Sequence, residues 1–499
     1  MGRTRLFALF ALLTLTGFIT TLDNTVINVA LPTVQRELGL SVTDLEWVAS
    51  SYVLSFGALL LPGGRLTDLF GRRSVFTVGV VVFTAASAAA AVADSGGTLI
   101  AARTVQGVGA ALVIPASLAV VAVDLPARRR SMAVGLWTAA LAVALALGPV
   151  VGGFVTQQWS WGWVFALNVP FGIVALLLMP AVPARTKGPP DSSEPRRGGL
   201  DLPGVLFSVL ALYLLTYGLV RGTEHGFSAA PVPLCLAVSA VATCAFLLAE
   251  ARTNRPLLEL GLLRDRFLTG GVIAQVLWGI GVNGVFFFTA LYLQQVLGFS
   301  PTRAGLAFLP LAGALLLCTP LAERAARVLG AHVSIAAGLV MVAAGLLYVS
   351  GTGAHSGYWD LQPGLLLIGA GSALTTPLTV RCLAQVPDAR AGMATGLVSA
   401  AREVSGVFGV VLVGVVLTRR ERSELRAGAD PRSAFLEGYD LGLRLAACCV
   451  LAGALVTLTT LHRRGRHRRV RQRWIRPRRE PTRTGTPPVA RTLTGTRPR

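Results

Sequence analysis

Charged side chains are scarce in this 499-residue sequence. They make up 14% of it, whereas ordinary globular chains contain about 25%. Hydrophobic residues make up 53%, and the mean hydropathy is +0.64. A soluble chain of this length would form about three domains of roughly 150 residues each. The shortage of charge excludes that organisation and predicts a membrane protein.

Metal ligands and nucleophiles are also few. The six cysteines include no CxxC pair and mostly fall in apolar runs, so neither a disulfide framework nor a zinc site is expected. The five histidines lack the spacing of metal ligands. The sequence contains no Walker phosphate loop, nucleophile elbow or paired catalytic carboxylates. We therefore expect no enzyme activity, no metal and no cofactor, and ATP-driven transport is disfavoured.

Acidic residues number only 24 against 45 basic ones, which gives a net charge of +21. Such an excess is found in nucleic-acid-binding proteins. Here, however, fourteen of the basic residues lie within residues 463–499, which hold one acid, Glu480, and five prolines. We expect this tail to be disordered, because it has little apolar surface to bury. Directly after the last apolar span, it is expected to meet anionic lipid and not nucleic acid.

Long apolar stretches are abundant. A helix needs about 20 mostly apolar residues to cross a bilayer, and the stretches between charges give fourteen candidate spans. Residues 131–184 contain no charge, and the polar residues 157–161 divide them into two spans. The first stretch continues past Asp23 without a signal-peptide cleavage site, so it is interpreted as the first span. Basic residues concentrate in alternate loops, which places both termini in the cytoplasm.

Two segments recur at nearly the same distance along the chain. Residues 107–115 match residues 369–377 at five of nine positions, with an offset of 262. Residues 125–140 match residues 386–401 at eight of sixteen positions, with an offset of 261. Because the two offsets agree, an internal repeat explains the matches better than chance similarity between Ala- and Gly-rich helices.

The repeat predicts two parallel six-helix halves separated by two inserted helices. Parallel repeats of this kind are typical of alternating-access transporters, whose substrate cavity lies between the halves. The expected regions are the N-terminal half (1–184), a cytoplasmic linker with inserted helices 7 and 8 (185–265), the C-terminal half (266–462) and the basic cytoplasmic tail (463–499).

The loop after the second span reads GRLTDLFGRR over residues 64–73. Its two glycines are expected to permit a tight turn, and its charged residues can form charge-assisted contacts that hold the halves together. The segment closely resembles the G-x-L-x-D-x-x-G-R-R/K signature of the major facilitator superfamily. A plain basic loop that sets the topology is the alternative. The resemblance implies a cytoplasmic gate motif of Gly64, Asp68, Gly71, Arg72 and Arg73.

The fifth span ends in GPVVGG over residues 148–153. Small residues let two helices approach closely, and a proline removes a backbone donor and bends the helix. The segment resembles the antiporter signature of the drug-exporting branches of that superfamily, although Ala144 stands where the family has glycine. A generic glycine-rich packing face is the alternative. The residues of the motif are Gly135, Gly148, Pro149, Gly152 and Gly153.

Residues 22–32, 161–170 and 292–301 look like hallmarks of the fourteen-helix drug:proton antiporter family within the superfamily. The resemblance covers nearly the whole chain except the tail. It implies an all-α membrane protein of the major facilitator fold, with 14 transmembrane helices arranged as six, two and six. It also implies a monomer in the inner (plasma) membrane that exports amphipathic drugs or antibiotics in exchange for protons.

Two other functions remain open. The chain is alternatively a narrow-specificity exporter of a natural product or metabolite, serving self-resistance. A third possibility is a sensor or scaffold that no longer transports and recruits a partner through the basic tail. The intact loop and antiporter signatures favour transport, because a scaffold would need neither of them.

Ionisable residues within spans are functional candidates, because a charge at the bilayer centre costs at least about 2.5–3.5 kcal/mol. Asp23 could exchange a proton in a partly desolvated cavity. Alternatively, it caps a break in the first span or simply lies near the outer surface. Arg103 opens the segment RTVQG, which resembles the superfamily's fourth-span motif and implies a role in proton coupling. A static partner that neutralises a carboxylate is the alternative.

Arg402 and Glu403 are adjacent, so they point about 100° apart on a helix and are not expected simply to shield each other. Glu403 could face the cavity as a counter-charge for a cationic substrate, and a gate or packing role is the alternative. The residues expected at the substrate cavity are Asn28, Gln106, Trp137, Tyr292, Arg402 and Glu403.

Overall fold

A computed structural model provides the fold of the chain. It describes residues 3–124, 127–181, 201–253, 256–354, 356–383, 386 and 391–462. The regular elements in these residues are all helical. The first nine α-helices are α1 (Arg3–Leu38), α2 (Val42–Phe70), α3 (Arg72–Ala91), α4 (Gly96–Asp124), α5 (Ala127–Gln158), α6 (Gly162–Ala166), α7 (Asn168–Leu178), α8 (Leu202–His225) and α9 (Val232–Arg252). The others are α10 (Arg266–Leu291), α11 (Pro301–Ala307), α12 (Leu309–Val328), α13 (Ala331–Ser350), α14 (Tyr358–Leu374), α15 (Pro377–Leu383), α16 (Ala391–Arg426) and α17 (Pro431–Thr460).

Twelve helical stretches in the described residues are long and apolar enough to cross a membrane. Two shorter apolar helices, Val143–Gln158 and Gly162–Leu178, occupy the segment that was expected to form spans five and six. The chain leaves the helix after Gln158, within the polar residues 157–161. The all-helical, multi-pass membrane fold is therefore confirmed, whereas the count of fourteen spans stays a prediction.

The ends of α2 follow from local chemistry. Ser41 caps the helix, because its hydroxyl accepts a hydrogen bond from the Asp44 amide at 3.1 Å while the Asp44 carboxylate accepts from the Ser41 amide at 3.0 Å. This reciprocal pair satisfies two donors that the helix leaves free. At the other end, Gly71 has a φ of 88°, which favours glycine. Gly71 therefore makes the tight turn from α2 into α3.

Gly64 takes no part in that turn, contrary to the sequence prediction. It lies inside α2, where an added Cβ would meet only the Pro115 ring of α4, at 3.8 Å. The close approach of α2 to α4 occurs one residue earlier, at Gly63, where a side chain would collide with the carbonyl oxygen of Ala111. Helix α2 continues to Phe70, so of the two glycines only Gly71 lies in the turn.

Helix packing repeats along the chain. Helix α1 packs on α5 as α10 packs on α16. Gly148 of α5 lies against Thr25 of α1, and Gly409 of α16, 261 residues later, lies against Ile280 of α10. The first set of helices, α1–α7, meets the second set, α10–α17, through the pairs α2 with α16, α1 with α10, and α5 with α11. Helix α8 packs on α9 and contacts both α2 and α16.

Candidate functional site

Asp23 lies within α1, which runs unbroken from Arg3 to Leu38. Only 1% of the residue is exposed, so Asp23 lies inside the protein, and it does not cap a helix break. Its Oδ2 accepts a hydrogen bond from Nη1 of Arg103 at 2.6 Å. Its Oδ1 accepts from Nε2 of Gln106 at 2.8 Å and from Nδ2 of Asn168 at 2.6 Å. The carboxylate is therefore held by three donors.

Four helices bring these side chains together. Arg103 and Gln106 are three residues apart on α4 and so share one face of it, while Asn168 is the first residue of α7. Ser87 of α3 completes the arrangement, because its hydroxyl accepts hydrogen bonds from Gln106 at 2.8 Å and from Asn168 at 3.3 Å. We call the set the Asp23 cluster. Its members are Asp23, Ser87, Arg103, Gln106 and Asn168.

The Arg103 side chain is fully buried. Besides its bond to the carboxylate, Nη1 donates to Oε1 of Gln106 at 2.8 Å, and Nε donates to the Val48 carbonyl at 3.3 Å. Nη2 is buried without a hydrogen-bond partner. The guanidinium carbon lies 4.4 Å from the ring centroid of Tyr52 and 5.6 Å from that of Phe165. The two rings stabilise the cation through cation–π contacts, although Nη2 lacks a hydrogen-bond partner.

This geometry fits an ionised carboxylate, because Asp23 accepts three hydrogen bonds from groups that can only donate them. Removing one partner of a buried ion pair typically costs about 3–5 kcal/mol, because the other charge is left buried and uncompensated. Protonation of Asp23 would leave the Arg103 cation buried without a counter-charge. The ion pair therefore contributes to holding α1 against α4.

Two glycines of the antiporter motif set how closely α5 approaches α1. A side chain at Gly148 would collide with the Thr25 side chain, and one at Gly152 would collide with the Val26 carbonyl. The Thr25 hydroxyl donates to the Ala144 carbonyl at 3.4 Å. Ala144, which stands where the family has glycine, therefore also lies at the contact between α1 and α5. Thr25 is two residues from Asp23, so α5 packs directly on the part of α1 that carries the carboxylate.

A neighbouring face of α5, about 100° around the helix, contacts α11 just as closely. A side chain at Gly153 would collide with the Pro301 carbonyl, and one at Gly305 would collide with the Pro149 carbonyl. Each helix thus provides a glycine for the backbone of the other, which permits close approach. Helix α5 therefore joins the two sets of helices.

The second set also reaches α1 through the hallmark segment at residues 292–301. Tyr292–Val296 forms a π-helical turn, an element that often occurs at functional sites. From this turn Gln294 donates to the Val29 carbonyl at 2.8 Å, and Gln295 donates to the Gln35 side chain at 2.6 Å. These bonds tie the end of α10 to the last turns of α1.

Two members of the cytoplasmic gate motif, Arg72 and Arg73, are half-buried in the first turn of α3. The Asp68 side chain lies outside the described part of the chain, and so do the surroundings of Gly135. The contacts expected of these two residues stay predictions, as does everything expected of the tail at 463–499.

Arg402 and Glu403 form an ion pair on α16. Nη2 and Nε of Arg402 donate to Oε1 of Glu403 at 2.8 and 3.1 Å, with 50% of the arginine side chain and 13% of the glutamate side chain exposed. The expectation that they would not shield each other is wrong, because the long arginine side chain folds back along the helix. A Cβ added at Gly57 would lie 3.5 Å from Cβ of Glu403, so the glutamate is at the crossing of α2 and α16.

Two other candidates do not line a cavity in this structure. Gln106 is fully buried, because both ends of its amide are bonded within the Asp23 cluster. Tyr292 is also fully buried. Its ring stacks on Tyr439 with centroids 5.1 Å apart, and its hydroxyl donates to the Gly353 carbonyl at 2.8 Å. In both cases the polar group that suggested a cavity residue is bound to other protein groups.

Asn28 and Trp137 are half-buried. Asn28 donates weakly to the Asn24 carbonyl one turn earlier, at 3.4 Å. The Trp137 indole packs against Gly17 of α1, and its Nε1 is buried without a hydrogen-bond partner. Each therefore has a polar group that the protein bonds poorly or not at all.

Sequence reasoning did not single out Ser87, Asn168 or Tyr52. Asn168 could have been found, because it is an amide in an apolar stretch and lies in a segment that resembles the drug:proton antiporter family. Ser87 in an Ala-rich helix and Tyr52 in an apolar one give no comparable signal. Their importance follows from helix packing, which local sequence does not encode.

This chain is similar in sequence to known resistance proteins and in fold to a known transporter. The family model described as Major Facilitator Superfamily matches residues 13–410. The multidrug resistance protein Stp of Mycobacterium tuberculosis is 35% identical over 422 residues, which cover 84% of this chain and 76% of Stp. The puromycin resistance protein pur8 of Streptomyces alboniger is 34% identical over 446 residues, which cover 87% of this chain and 86% of pur8.

Among solved structures, similarity extends to a bacterial homologue of the human lysosomal transporter Spinster, in its inward-facing and unoccupied conformation. The TM-score is 0.67 at 16% sequence identity, with 92% of this chain and 98% of the other covered. At that identity the likeness concerns the fold alone.

Proposed function

The chain belongs to the major facilitator superfamily, and on that premise we propose that it is a proton-coupled antiporter that exports amphipathic drugs or antibiotics across the cytoplasmic membrane by alternating access. The observation that carries the proposal is the Asp23 cluster. It contains a buried carboxylate that can exchange a proton, and a buried cation that loses its counter-charge when the carboxylate is protonated. A scaffold that does not transport would need neither group.

The coupling step follows from the bonds of Asp23. Proton uptake removes the negative charge, weakens the ion pair with Arg103 and loosens α1 from α4 and α7. Since α5 packs directly on α1 next to Asp23 and on α11 through Gly153 and Gly305, movement of α1 is passed to the second set of helices. Proton binding thereby favours a different arrangement of the two sets.

We assign the regions as the repeat predicts. The N-terminal half is 1–184, the linker with the inserted helices is 185–265, the C-terminal half is 266–462 and the tail is 463–499. The full count is fourteen transmembrane helices, with both termini in the cytoplasm. The gate motif around Gly71 then lies on the inner side, and the basic tail contacts anionic lipid. The protein acts as a monomer.

We place the substrate between the halves, near Asn28, Trp137, Arg402 and Glu403. Asn28 and Trp137 have polar groups with little or no bonding to protein, which suits an amphipathic ligand. Glu403 supplies a counter-charge for a cationic compound. Its bond to the half-exposed Arg402 is of the kind that contributes little stability, so a substrate cation can replace the arginine.

Export of a single natural product for self-resistance is the second candidate. It is favoured by a relative named for resistance to one antibiotic, puromycin. The two candidates share the coupling site and differ only in the breadth of compounds carried.

The test is accumulation of a panel of amphipathic compounds in cells that express the protein, with and without a proton uncoupler. Asp23→Asn is the matched control, because the amide keeps the size of the side chain but cannot exchange a proton. We expect at least one compound to accumulate less in wild-type cells, and the uncoupler or Asp23→Asn to abolish that difference. Efflux against a gradient by the correctly inserted Asp23→Asn protein would contradict the proposal.

A further inference from the structure

Two acidic side chains meet where α8 begins and α9 ends. Asp201 caps α8, and its Oδ1 accepts a hydrogen bond from the Gly204 amide at 3.1 Å. Glu250 lies in the last turn of α9 and is 3% exposed, and its Oε2 accepts from the Leu258 amide at 3.1 Å. Helices α8 and α9 pack on each other. Each of two neighbouring helices thus contributes a carboxyl group with one oxygen bonded to backbone.

The second oxygen of each carboxyl group has no such bond. Among the described residues, Oδ2 of Asp201 and Oε1 of Glu250 are both buried without a hydrogen-bond partner. Each of them lies 2.7 Å from the point that a Cβ at Gly204 would occupy. The two oxygens therefore converge on the space that the glycine leaves open. Since buried polar groups are normally hydrogen-bonded, this pair of acceptors needs a positive charge or a donor between them.

The pair has few charged neighbours in the described part of the chain. The charge that acts on Glu250 is that of Asp201. Arg252 follows Glu250 by two positions on α9 and therefore points about 200° away from it. Arg221 lies at the other end of α8, about 30 Å along the helix, and the amide of Glu259 in the linker is directed to α16. Two ionised carboxylates would thus be buried against each other, which is costly without a partner.

We propose that Asp201 and Glu250 share one proton, which holds the start of α8 against the end of α9. A protonated carboxyl group is a donor, so one proton taken up from water satisfies both oxygens and removes one of two buried negative charges. Two carboxyl groups that share a site do not readily ionise together. The inference rests on the proposed function for the side of the membrane, because that function places the linker, and with it this pair, in the cytoplasm.

The linker connects the pair to α16. Leu258 is bonded to Glu250, and the next amide, that of Glu259, donates to the Met393 sulfur in the first turn of α16 at 3.1 Å. A thioether sulfur is a weak acceptor. When loss of the proton drives Glu250 away from Asp201, the bond to Met393 is therefore the one that breaks. The shared proton thus makes the restraint of α16 by the linker depend on cytoplasmic pH.

The first test detects the shared proton and needs no substrate. Infrared difference spectra of the purified protein over a range of pH report the carbonyl band of a protonated carboxyl group. We expect one such band to disappear as the pH rises and to be missing in both Asp201→Asn and Glu250→Gln, because either amide is a permanent donor to the remaining carboxylate. A band that belongs to Asp23 vanishes in Asp23→Asn instead.

Two glycine variants test whether the close approach at Gly204 matters. Gly204→Ala places a Cβ against both oxygens and should move the loss of the band to lower pH by about one unit or more, because separated carboxyl groups ionise independently. Gly261→Ala is the matched control, since a side chain there meets no atom within 4 Å, and it should leave the band unchanged.

Several outcomes of this test would overturn the proposal. One is a band that survives in either amide variant, which would mean that the two groups titrate separately. Another is the absence of the band from the wild-type protein. If that absence is accompanied by a higher thermal midpoint in sodium chloride than in choline chloride, a metal cation occupies the place assigned to the proton.

The second test compares export by wild type and by Glu250→Gln in proteoliposomes, at equal proton gradients and a series of pH values on the side of the linker. The variant keeps the linker on α16 at every pH. The ratio of wild-type to variant rates should therefore rise with pH by about threefold, the factor that loss of one weak hydrogen bond gives. A ratio that does not rise would overturn the link to α16. Absence of export by both proteins would refute the proposed function, while the infrared band still decides whether the proton is shared.

Discussion

Two ion pairs between arginine and a carboxylate in the described helices, Asp23 with Arg103 and Glu403 with Arg402, differ in their surroundings. Asp23 and Arg103 come from different helices, are fully buried and are held by further amide and backbone bonds. Arg402 and Glu403 are neighbours on one helix, and half of the arginine side chain is exposed. The first pair fixes how α1 and α4 pack, whereas the second constrains only itself.

The difference shows that surroundings, and not residue type, decide what an ion pair does. Breaking a buried pair leaves an uncompensated charge and costs about 3–5 kcal/mol, whereas an exposed pair contributes about 0–1 kcal/mol. Loss of one charge is therefore expected to cost much more at the buried pair than at the exposed one. The exposed pair can exchange partners at little cost, which suits contact with substrate.

The largest effect is expected from Arg103. Arg103→Ala leaves Asp23 buried without its cation and should abolish proton-coupled export, with a free energy of unfolding lower by about 3–5 kcal/mol. Arg103→Lys keeps a positive charge and should retain part of the activity. Export and thermal stability of both variants provide the measurement. Equal, mild effects on export would favour a static role for Arg103.

An intermediate effect is expected from changes in α5, which packs both on α1 next to Asp23 and on α11 of the second set of helices. Gly148→Leu cannot fit against Thr25, so α5 must move away from α1, and protons should leak without substrate. Pro149→Ala should have a weaker effect of the same kind. Passive proton flux into vesicles is the measurement. Gly97→Leu is the control, because a side chain at Gly97 meets no atom within 4 Å. Unchanged coupling in both α5 variants would contradict this role.

The smallest effect is expected from the exposed pair. Arg402→Gln should change the free energy of unfolding by no more than about 1 kcal/mol. It should also leave export of neutral compounds near the wild-type rate. Export of cationic compounds should rise, because Glu403 loses its competing cation. A loss of stability comparable to that of Arg103→Ala would show that the two pairs are more alike than their exposure indicates.

Much of the fold could be predicted from particular features of the sequence. The apolar runs predicted the transmembrane helices, because backbone groups in a bilayer must be bonded within the helix and the side chains facing lipid must be apolar. The polar residues 157–161 marked where α5 ends, and Gly71 marked the turn into α3. In each case the controlling interaction is local or is with lipid, so it can be inferred from adjacent residues.

The site could be predicted only in part. Asp23 and Arg103 stood out because charge within an apolar run is costly wherever the helix packs. Ser87 and Asn168 did not stand out, because polar uncharged residues are common in membrane helices and only their partners distinguish these two. The burial of Tyr292 could not be predicted for the same reason, since its stacking on Tyr439 depends on a helix that lies more than a hundred residues away.

The sequence by itself determined that the chain spans the membrane as helices, that the pattern of those helices repeats and that a few charges lie within them, because each follows from the transfer of side chains from water to hydrocarbon. Only the tertiary structure decided which charges meet. Asp23 and Arg103 are 80 residues apart in the chain, and close helix packing at Gly148 and Gly152 forms part of the core around them. Pairing, burial and exposure are properties of neighbours in space, and they distinguish the buried pair of Asp23 and Arg103 from the exposed pair of Arg402 and Glu403.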